Sequence, residues 1–173
     1  VRVCIGGGSI CSTRIQTGHG VPTLQSVLDC AQSDRDALLI ADGGIRTSGD
    51  IVKVLAAGAD FAIIGSLLSG TTESPGSVFY VGGEKYKTYR GMASEEAQKD
   101  WRGSSSSLEG ISTKVPYKGP TQDILTSLER GIRSGFSYTG AKNITELQVK
   151  AKFIKQTSAG QFESSTHIDK RYK

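Results

Sequence analysis

Apolar residues in the first 65 positions fall into two kinds of segment. Residues 1–5 (VRVCI), 37–41 (ALLIA) and 61–65 (FAIIG) are short, nearly continuous apolar runs. That is the pattern of strands buried on both faces. Between them lie two stretches with helical spacing. In VPTLQSVLDCAQ, Leu24, Val27, Leu28 and Ala31 share a face and Pro22 suits the first helical position. In DIVKVLAAG, Ile51, Val54 and Leu55 share a face and Gly58 marks the end. Strand, loop and helix thus repeat, which predicts a parallel α/β sheet. Each predicted strand runs into a loop rich in Gly, Ser or Asp. In closed barrels and open doubly wound sheets alike, that edge carries the site. A closed (β/α)8 barrel needs eight strands and about 250 residues, so a barrel reading leaves this chain with its last three strands.

The second half predicts other elements. Residues 77–89 (SVFYVGGEKYKTY) are two alternating runs around Gly82-Gly83, a β-hairpin signal. Residues 90–112 are polar, contain a serine run, and are expected to form a mobile linker or lid. Residues 119–135 predict a helix, with Pro120 near its start and Ile124, Leu125, Leu128 and Ile132 on one face. In NITELQVKAKFI, Asn143 and Glu146 have capping-box spacing. The tail from residue 157 is polar and expected to be loosely held. The whole reads as a single partial domain: strands and site loops over 1–76, hairpin and flap over 77–119, and C-terminal helices over 120–173.

Composition adjusts this picture only slightly. Hydrophobic residues make up 36% and charged residues 22% of the 173, ordinary for a globular domain. No apolar run approaches membrane-spanning length and no signal-peptide pattern opens the chain, so no membrane partner and a cytoplasmic setting are expected. The net charge of +4 comes from scattered Lys and Arg. It favours a phosphorylated small molecule over nucleic acid. Cys4, Cys11 and Cys30 are an odd set without close pairing, which argues against a disulfide framework or a zinc site. The sole methionine is Met92, so the chain is expected to be an excerpt of something longer.

Three loops offer chemistry. In IGGGSICSTR, glycine N–H groups and Ser9 suit an anion, yet neither a Walker loop nor a dinucleotide fingerprint is present. Cys11 in this loop, near Arg14, reads either as a nucleophile with a favoured thiolate or as a small buried apolar residue. Asp42-Gly43-Gly44 reads either as a diol acceptor beside a phosphate or as a helix-entry loop. Gly65-Ser66 is a second phosphate candidate. Glu109 reads as a general base or as a solvated loop carboxylate. His19 and His167 have no partners at metal-ligand spacing and are expected to be structural or exposed. Converging on one face, the three loops describe a site for a nucleoside monophosphate.

The segments GGGSICSTR, ADGGIRTSGDIVKVLAAGAD, IIGSLLSGTTESPG, KYKTYRGM and EGISTKVPYKG, in this order, resemble the catalytic domain of the IMP dehydrogenase/GMP reductase family. The likeness runs over nearly the whole chain and corresponds to the C-terminal half of a (β/α)8 barrel; the family's first five strands would lie upstream. The resemblance implies a purine-nucleotide oxidoreductase that acts at purine C2. Cys11 would form a covalent intermediate, and hydride would pass to or from NADP or NAD. It implies that Thr13 and Glu109 handle protons, and that Ser9, Gly44, Gly65, Ser66 and Tyr89 contact phosphate. Asp42 would hold the ribose diol, with Gly91, Met92 and Glu109 around the base. In the dehydrogenase branch, backbone carbonyls of Gly6, Gly8 and Cys11 would hold a monovalent cation, K+ being the candidate. A neighbouring subunit's segment, resembled here by FESSTHI, would complete that site. The family also implies a homotetramer for the complete chain.

The branches differ in the flap. GGIRTSGD and GSLLSGTTESPG resemble the dehydrogenases. However, the segment between Gly91 and Glu109 is short and lacks the dehydrogenases' water-activating Arg-Tyr pair, the nearest equivalent being Trp101-Arg102. That favours GMP reductase, with IMP dehydrogenase as the alternative. An inactive fragment or binding module, and a cysteine redox sensor, are readings from other classes.

Overall fold

The computed structural model of the chain describes residues 1–34, 36–106 and 109–166. In chain order the elements are β1 (Arg2–Val3), α1 (Thr13–Thr17), α2 (Thr23–Ala31), β2 (Ile40–Asp42), α3 (Ser48–Ala56), β3 (Phe61–Ile63), β4 (Phe79–Val81), β5 (Glu84–Arg90), α4 (Glu95–Arg102), β6 (Ser112–Pro116), α5 (Thr121–Thr139), α6 (Ile144–Lys150) and α7 (Ser158–Glu163). Strands β1, β2 and β3 form a parallel sheet in that order, with Val3 opposite Ala41 and Ala41 opposite Ala62. Strands β4, β5 and β6 form a second, antiparallel sheet, with Tyr89 opposite Thr113. The alternation of parallel strands with α2 and α3 is the expected α/β arrangement.

The core lies where the parallel sheet meets its helices. Val3, Leu39 and Ala41 pack with Val27 of α2, with Ile51, Val54 and Leu55 of α3, and with Leu128 and Leu147 from α5 and α6. The helical spacings read from the sequence place most of their residues inside; Leu125, assigned to the apolar face of α5, is instead 43% exposed. Burial of the strands is less complete than their apolar runs suggest. Phe61 is 55% exposed, because β3 is an outer strand of a three-stranded sheet and has a neighbour on one side only; Leu38, 57% exposed, lies ahead of the first residue of β2.

The starts of α3, α4, α6 and α7 carry side-chain caps. Thr47 accepts from the Asp50 N–H at 3.1 Å and the Asp50 carboxylate accepts from the Thr47 N–H at 3.1 Å, a reciprocal capping box for α3. At α6, Asn143 accepts from the Glu146 N–H at 2.8 Å, as its spacing predicts, but the Glu146 carboxylate takes the N–H of Lys142, not that of Asn143. Pro22 and Pro120 each stand one residue before the helix, at the cap.

Residues 90–112, expected as a mobile linker or lid, contain α4, capped by Ser94, and the start of β6. Buried Gln98 folds this segment on itself. Its amide donates to the Ala93 carbonyl at 3.0 Å and its oxygen accepts from the Ser106 N–H at 3.0 Å. The tail, expected to be loosely held, carries α7, capped by Thr157 and without a buried residue. His19 is exposed, as expected; His167 lies outside the described residues. Among those residues no helix is long and apolar enough to cross a membrane.

Burial pushes the Asp50 carboxyl up, but the Arg46 N–H, the Lys53 ammonium and the Thr47 side chain outweigh it and hold the group below the usual carboxylate range. A lowered folded pKa contributes stability that is complete above the unfolded value and lost as pH falls through the folded one. Asp50→Asn should therefore be less stable than the parent at neutral pH, with the gap narrowing on acidification. Thr47→Ala should lose about 0.5–2 kcal/mol. Urea midpoints of the complete protein, measured across the acid range, check both.

Candidate functional site

The loop after β1 is fixed by backbone pairing to a distant part of the chain. The Ser12 N–H donates to the Glu109 carbonyl at 2.8 Å and the Ile111 N–H to the Ile10 carbonyl at 3.0 Å, so Cys11 sits opposite Gly110 in an antiparallel bridge. The same strip continues into β6, and the Gly91 N–H donates to the Ile111 carbonyl at 3.0 Å. A short ladder thus joins the parallel sheet's first loop to the antiparallel sheet.

That register aligns three side chains. The Cys11 thiol donates to the Thr13 hydroxyl at 3.1 Å, and the Thr13 hydroxyl donates to the Glu109 carboxylate at 2.7 Å. All three groups are half-buried. Thiol, hydroxyl and carboxylate form a continuous path along which the thiol proton can pass to Glu109, generating a thiolate. Glu109 is thereby not a solvated loop carboxylate. Arg14, expected to favour the Cys11 thiolate, does not serve it. Its guanidinium donates to the Cys4 sulfur at 3.3 Å and to the carbonyls of Ile5 and Val21 at 3.0 and 2.6 Å. The short helix α1, unforeseen in the sequence, turns Arg14 away from Cys11.

The second loop packs on the first, backbone to backbone. A Cβ on Gly43 would lie 2.9 Å from the Gly8 nitrogen, and one on Gly44 would lie 3.1 Å from the Gly7 carbonyl oxygen. Gly43 and Gly44 also have φ of +83° and +74°, conformations that L side chains rarely adopt. The Thr23 hydroxyl donates to the Gly43 carbonyl at 3.2 Å and ties α2 to the same junction. Asp42, at the end of β2, is ion-paired with Arg2, whose Nε lies 3.0 Å from Oδ2. The pair is largely exposed on the arginine side and worth at most about 1 kcal/mol; its consequence is to orient the carboxylate.

The third loop, after β3, faces β5. A Cβ on Gly65 would lie 3.4 Å from the Tyr89 hydroxyl. Gly91, two residues beyond Tyr89, lies against Ile10 and Gly110. β5 is therefore the rail that links the Gly65–Tyr89 pair to the Cys11 relay. Ser9 and Met92 are exposed and Ser66 is half-buried. A cavity of about 860 Å³ opens between this loop and β5, with Gly65 and Tyr89 in its wall. Cys11, Thr13 and Glu109 are not among the residues of its wall.

Two lysines without a role in the sequence reading brace this loop. Lys87, 3% exposed, donates to the carbonyls of Thr71, Thr72 and Ser74 at 2.9, 3.1 and 2.6 Å. Lys118 donates to the carbonyls of Ser66 and Leu67 at 2.8 and 3.2 Å, and partial burial lowers its pKa. The alternation in KYKTY, which puts Lys87 on the same strand face as Tyr89, is the signal that could have found the first.

For the monovalent cation, the Gly8 carbonyl already accepts the Cys11 N–H at 3.1 Å, which leaves one lone pair of that oxygen for an ion. The segment resembling the neighbouring subunit's contribution runs from α7 into His167 and Ile168, which are outside the described residues. No cluster of His, Cys, Asp or Glu able to hold a metal occurs among the described residues.

Residues 1–167 match the model of the IMP dehydrogenase / GMP reductase domain. The chain is 49% identical over 181 residues to inosine-5'-monophosphate dehydrogenase of Nitrosopumilus maritimus, covering 96% of this chain and 38% of that protein. It is 50% identical over 179 residues to the enzyme of the same name from Aquifex aeolicus, covering 96% and 36%. A crystal structure of a GMP reductase variant from Trypanosoma brucei, in complex with guanosine 5'-monophosphate, superposes with a TM-score of 0.90 at 44% identity. It covers 96% of this chain and 36% of that one. The chain thus spans under two-fifths of the length of these relatives, and its fold is part of a (β/α)8 barrel. The chain belongs to the IMP dehydrogenase/GMP reductase family of NAD(P)-dependent oxidoreductases.

Proposed function

We propose that the complete protein is a GMP reductase, converting GMP and NADPH to IMP, ammonia and NADP. The observation that carries this reading is the pairing of an assembled Cys11–Thr13–Glu109 relay with a flap closed on itself. The segment between Gly91 and Glu109 is occupied by α4 and clamped by Gln98. It contains no Arg-Tyr pair to activate water, and its Trp101 and Arg102 stack on each other, 4.5 Å from guanidinium to ring centre. Without a base for water, hydrolysis of a covalent intermediate is slow; loss of ammonia needs only a proton donor.

In this reading Ser9, Gly44, Gly65, Ser66 and Tyr89 hold the phosphate, Asp42 the ribose diol, and Gly91 and Met92 flank the base. The Cys11 proton passes through Thr13 to Glu109, and the thiolate adds to purine C2. Glu109 returns a proton to the departing amine, so ammonia leaves and C2 stays bonded to sulfur. Cysteine, threonine and glutamate can hold and move protons but cannot supply hydride, which fits a site that works with a nicotinamide. A bound NADPH would supply hydride to C2; the C2–S bonding pair would return to sulfur, freeing IMP and a Cys11 thiolate that Thr13 and Glu109 can reprotonate with a proton taken from solvent. The K+ site and the homotetramer belong to the same proposal for the complete protein.

A second reading, IMP dehydrogenase, is favoured by the names of the relatives at 49% and 50% identity. The test is direct. With GMP and NADPH, the complete protein should consume reduced nicotinamide and release ammonia. NADH formation from IMP and NAD, with no reaction of GMP, would reverse the assignment. Cys11→Ser should abolish turnover in either direction. Glu109→Gln and Thr13→Val should each lower kcat by about 10²–10⁴-fold. The double variant should be little worse than either, because the relay acts as one unit.

A further inference from the structure

We infer that Lys87 and Lys118 are positioning residues for the nucleotide's phosphate, holding the loop between Gly65 and Ser74 in the shape that sets Gly65 beside the Tyr89 hydroxyl. This rests on the phosphate assignment above and adds the groups that enforce it.

An ammonium has three N–H donors. Those of Lys87 meet three carbonyls that all belong to residues 71–74, at distances of 2.6–3.1 Å. Charge-assisted bonds of this kind are stronger than neutral ones. A buried ammonium that lost its acceptors would pay its desolvation in full, so lysine and loop lock each other. The other end of the loop is held in the same way. The Gly65 carbonyl closes a turn by accepting from Leu68 and Ser69 at 3.0 and 3.2 Å. Lys118 takes the next two carbonyls, those of Ser66 and Leu67.

Both lysines come from the antiparallel sheet or its exit, whereas the loop belongs to the parallel one. The Lys118 N–H donates to the Gly70 carbonyl at 2.9 Å and the Thr72 N–H to the Gly119 carbonyl at 2.9 Å, so the strap is doubled in the backbone. Lys87 is also two residues from Tyr89 on the same strand face. One short stretch of β5 therefore carries both the hydroxyl and the anchor of the loop opposite it. Glu73 and Glu96 line the same cavity, so the field there is not simply positive, and the lysines act on the phosphate through loop shape.

The experiment compares binding of GMP and IMP with that of guanosine and inosine to the complete protein, as parent, Lys118→Met, Lys118→Arg and Lys87→Met. Lys118 is solvent-accessible, and its methionine variant is expected to fold even if Lys87→Met does not. Lys118→Met should weaken nucleotide binding at least 10-fold and leave nucleoside binding within twofold; Lys118→Arg should restore most of the loss. Lys87→Met, where it folds, should show the same selectivity. Equal weakening of nucleotide and nucleoside, or a lowered Tm with unchanged nucleotide affinity, would reduce both lysines to structural supports and overturn the inference. A parent that binds IMP but does not consume GMP would overturn the reductase reading alone. A parent that binds no purine monophosphate would overturn both.

Discussion

The two-bond bridge between residues 10–12 and 109–111 is the constraint on which the site depends. It joins segments about a hundred residues apart and sets their register to the single residue. Since Cys11 lies opposite Gly110, Thr13 reaches both the Cys11 sulfur and the Glu109 carboxylate. A one-residue slip would turn alternate side chains to the other face and dissolve the relay. Backbone pairing, not the chemistry of the three side chains, therefore creates the proton path.

Around that bridge, close backbone contact is achieved by leaving side chains out. Gly7 and Gly8 meet Gly43 and Gly44 where a Cβ would have nowhere to go. Gly110 does the same against the backbone of Ala93 and Ser94, where a Cβ would lie 3.0 Å from the Ser94 nitrogen. The third loop is organised differently. Its carbonyls are taken up by Lys87 and Lys118, and its place is set by charge-assisted hydrogen bonds. One site thus combines glycine junctions, which exclude side chains, with lysine anchors, which recruit them.

The flap shows how a polar stretch acquires structure. Its serines and charges give no apolar stripe, so the pattern suggested a mobile segment. Order comes from a Ser94 cap and from buried Gln98, which bonds to backbone on both sides of the helix. Hydropathy is blind to such a clamp, because its anchor is polar and becomes buried only when the segment closes on itself.

The sequence by itself determined the parallel α/β character, the helical faces that form the core, the hairpin at Gly82-Gly83 and the Asn143 cap. These depend on periodicity and on turn chemistry within a few residues. Its ordered motifs also carried the family and named Cys11, Thr13 and Glu109 as candidates. Only the tertiary structure decided that these three touch, that Arg14 belongs to Cys4, that Asp42 is held by Arg2, and that β6 completes the second sheet. It alone made buried Lys87 and the more exposed Lys118 the supports of the third loop. The physical reason is range. Propensities and caps act within a turn or a strand, whereas register between remote segments, and the burial of polar groups that follows from it, exists only once the chain has closed.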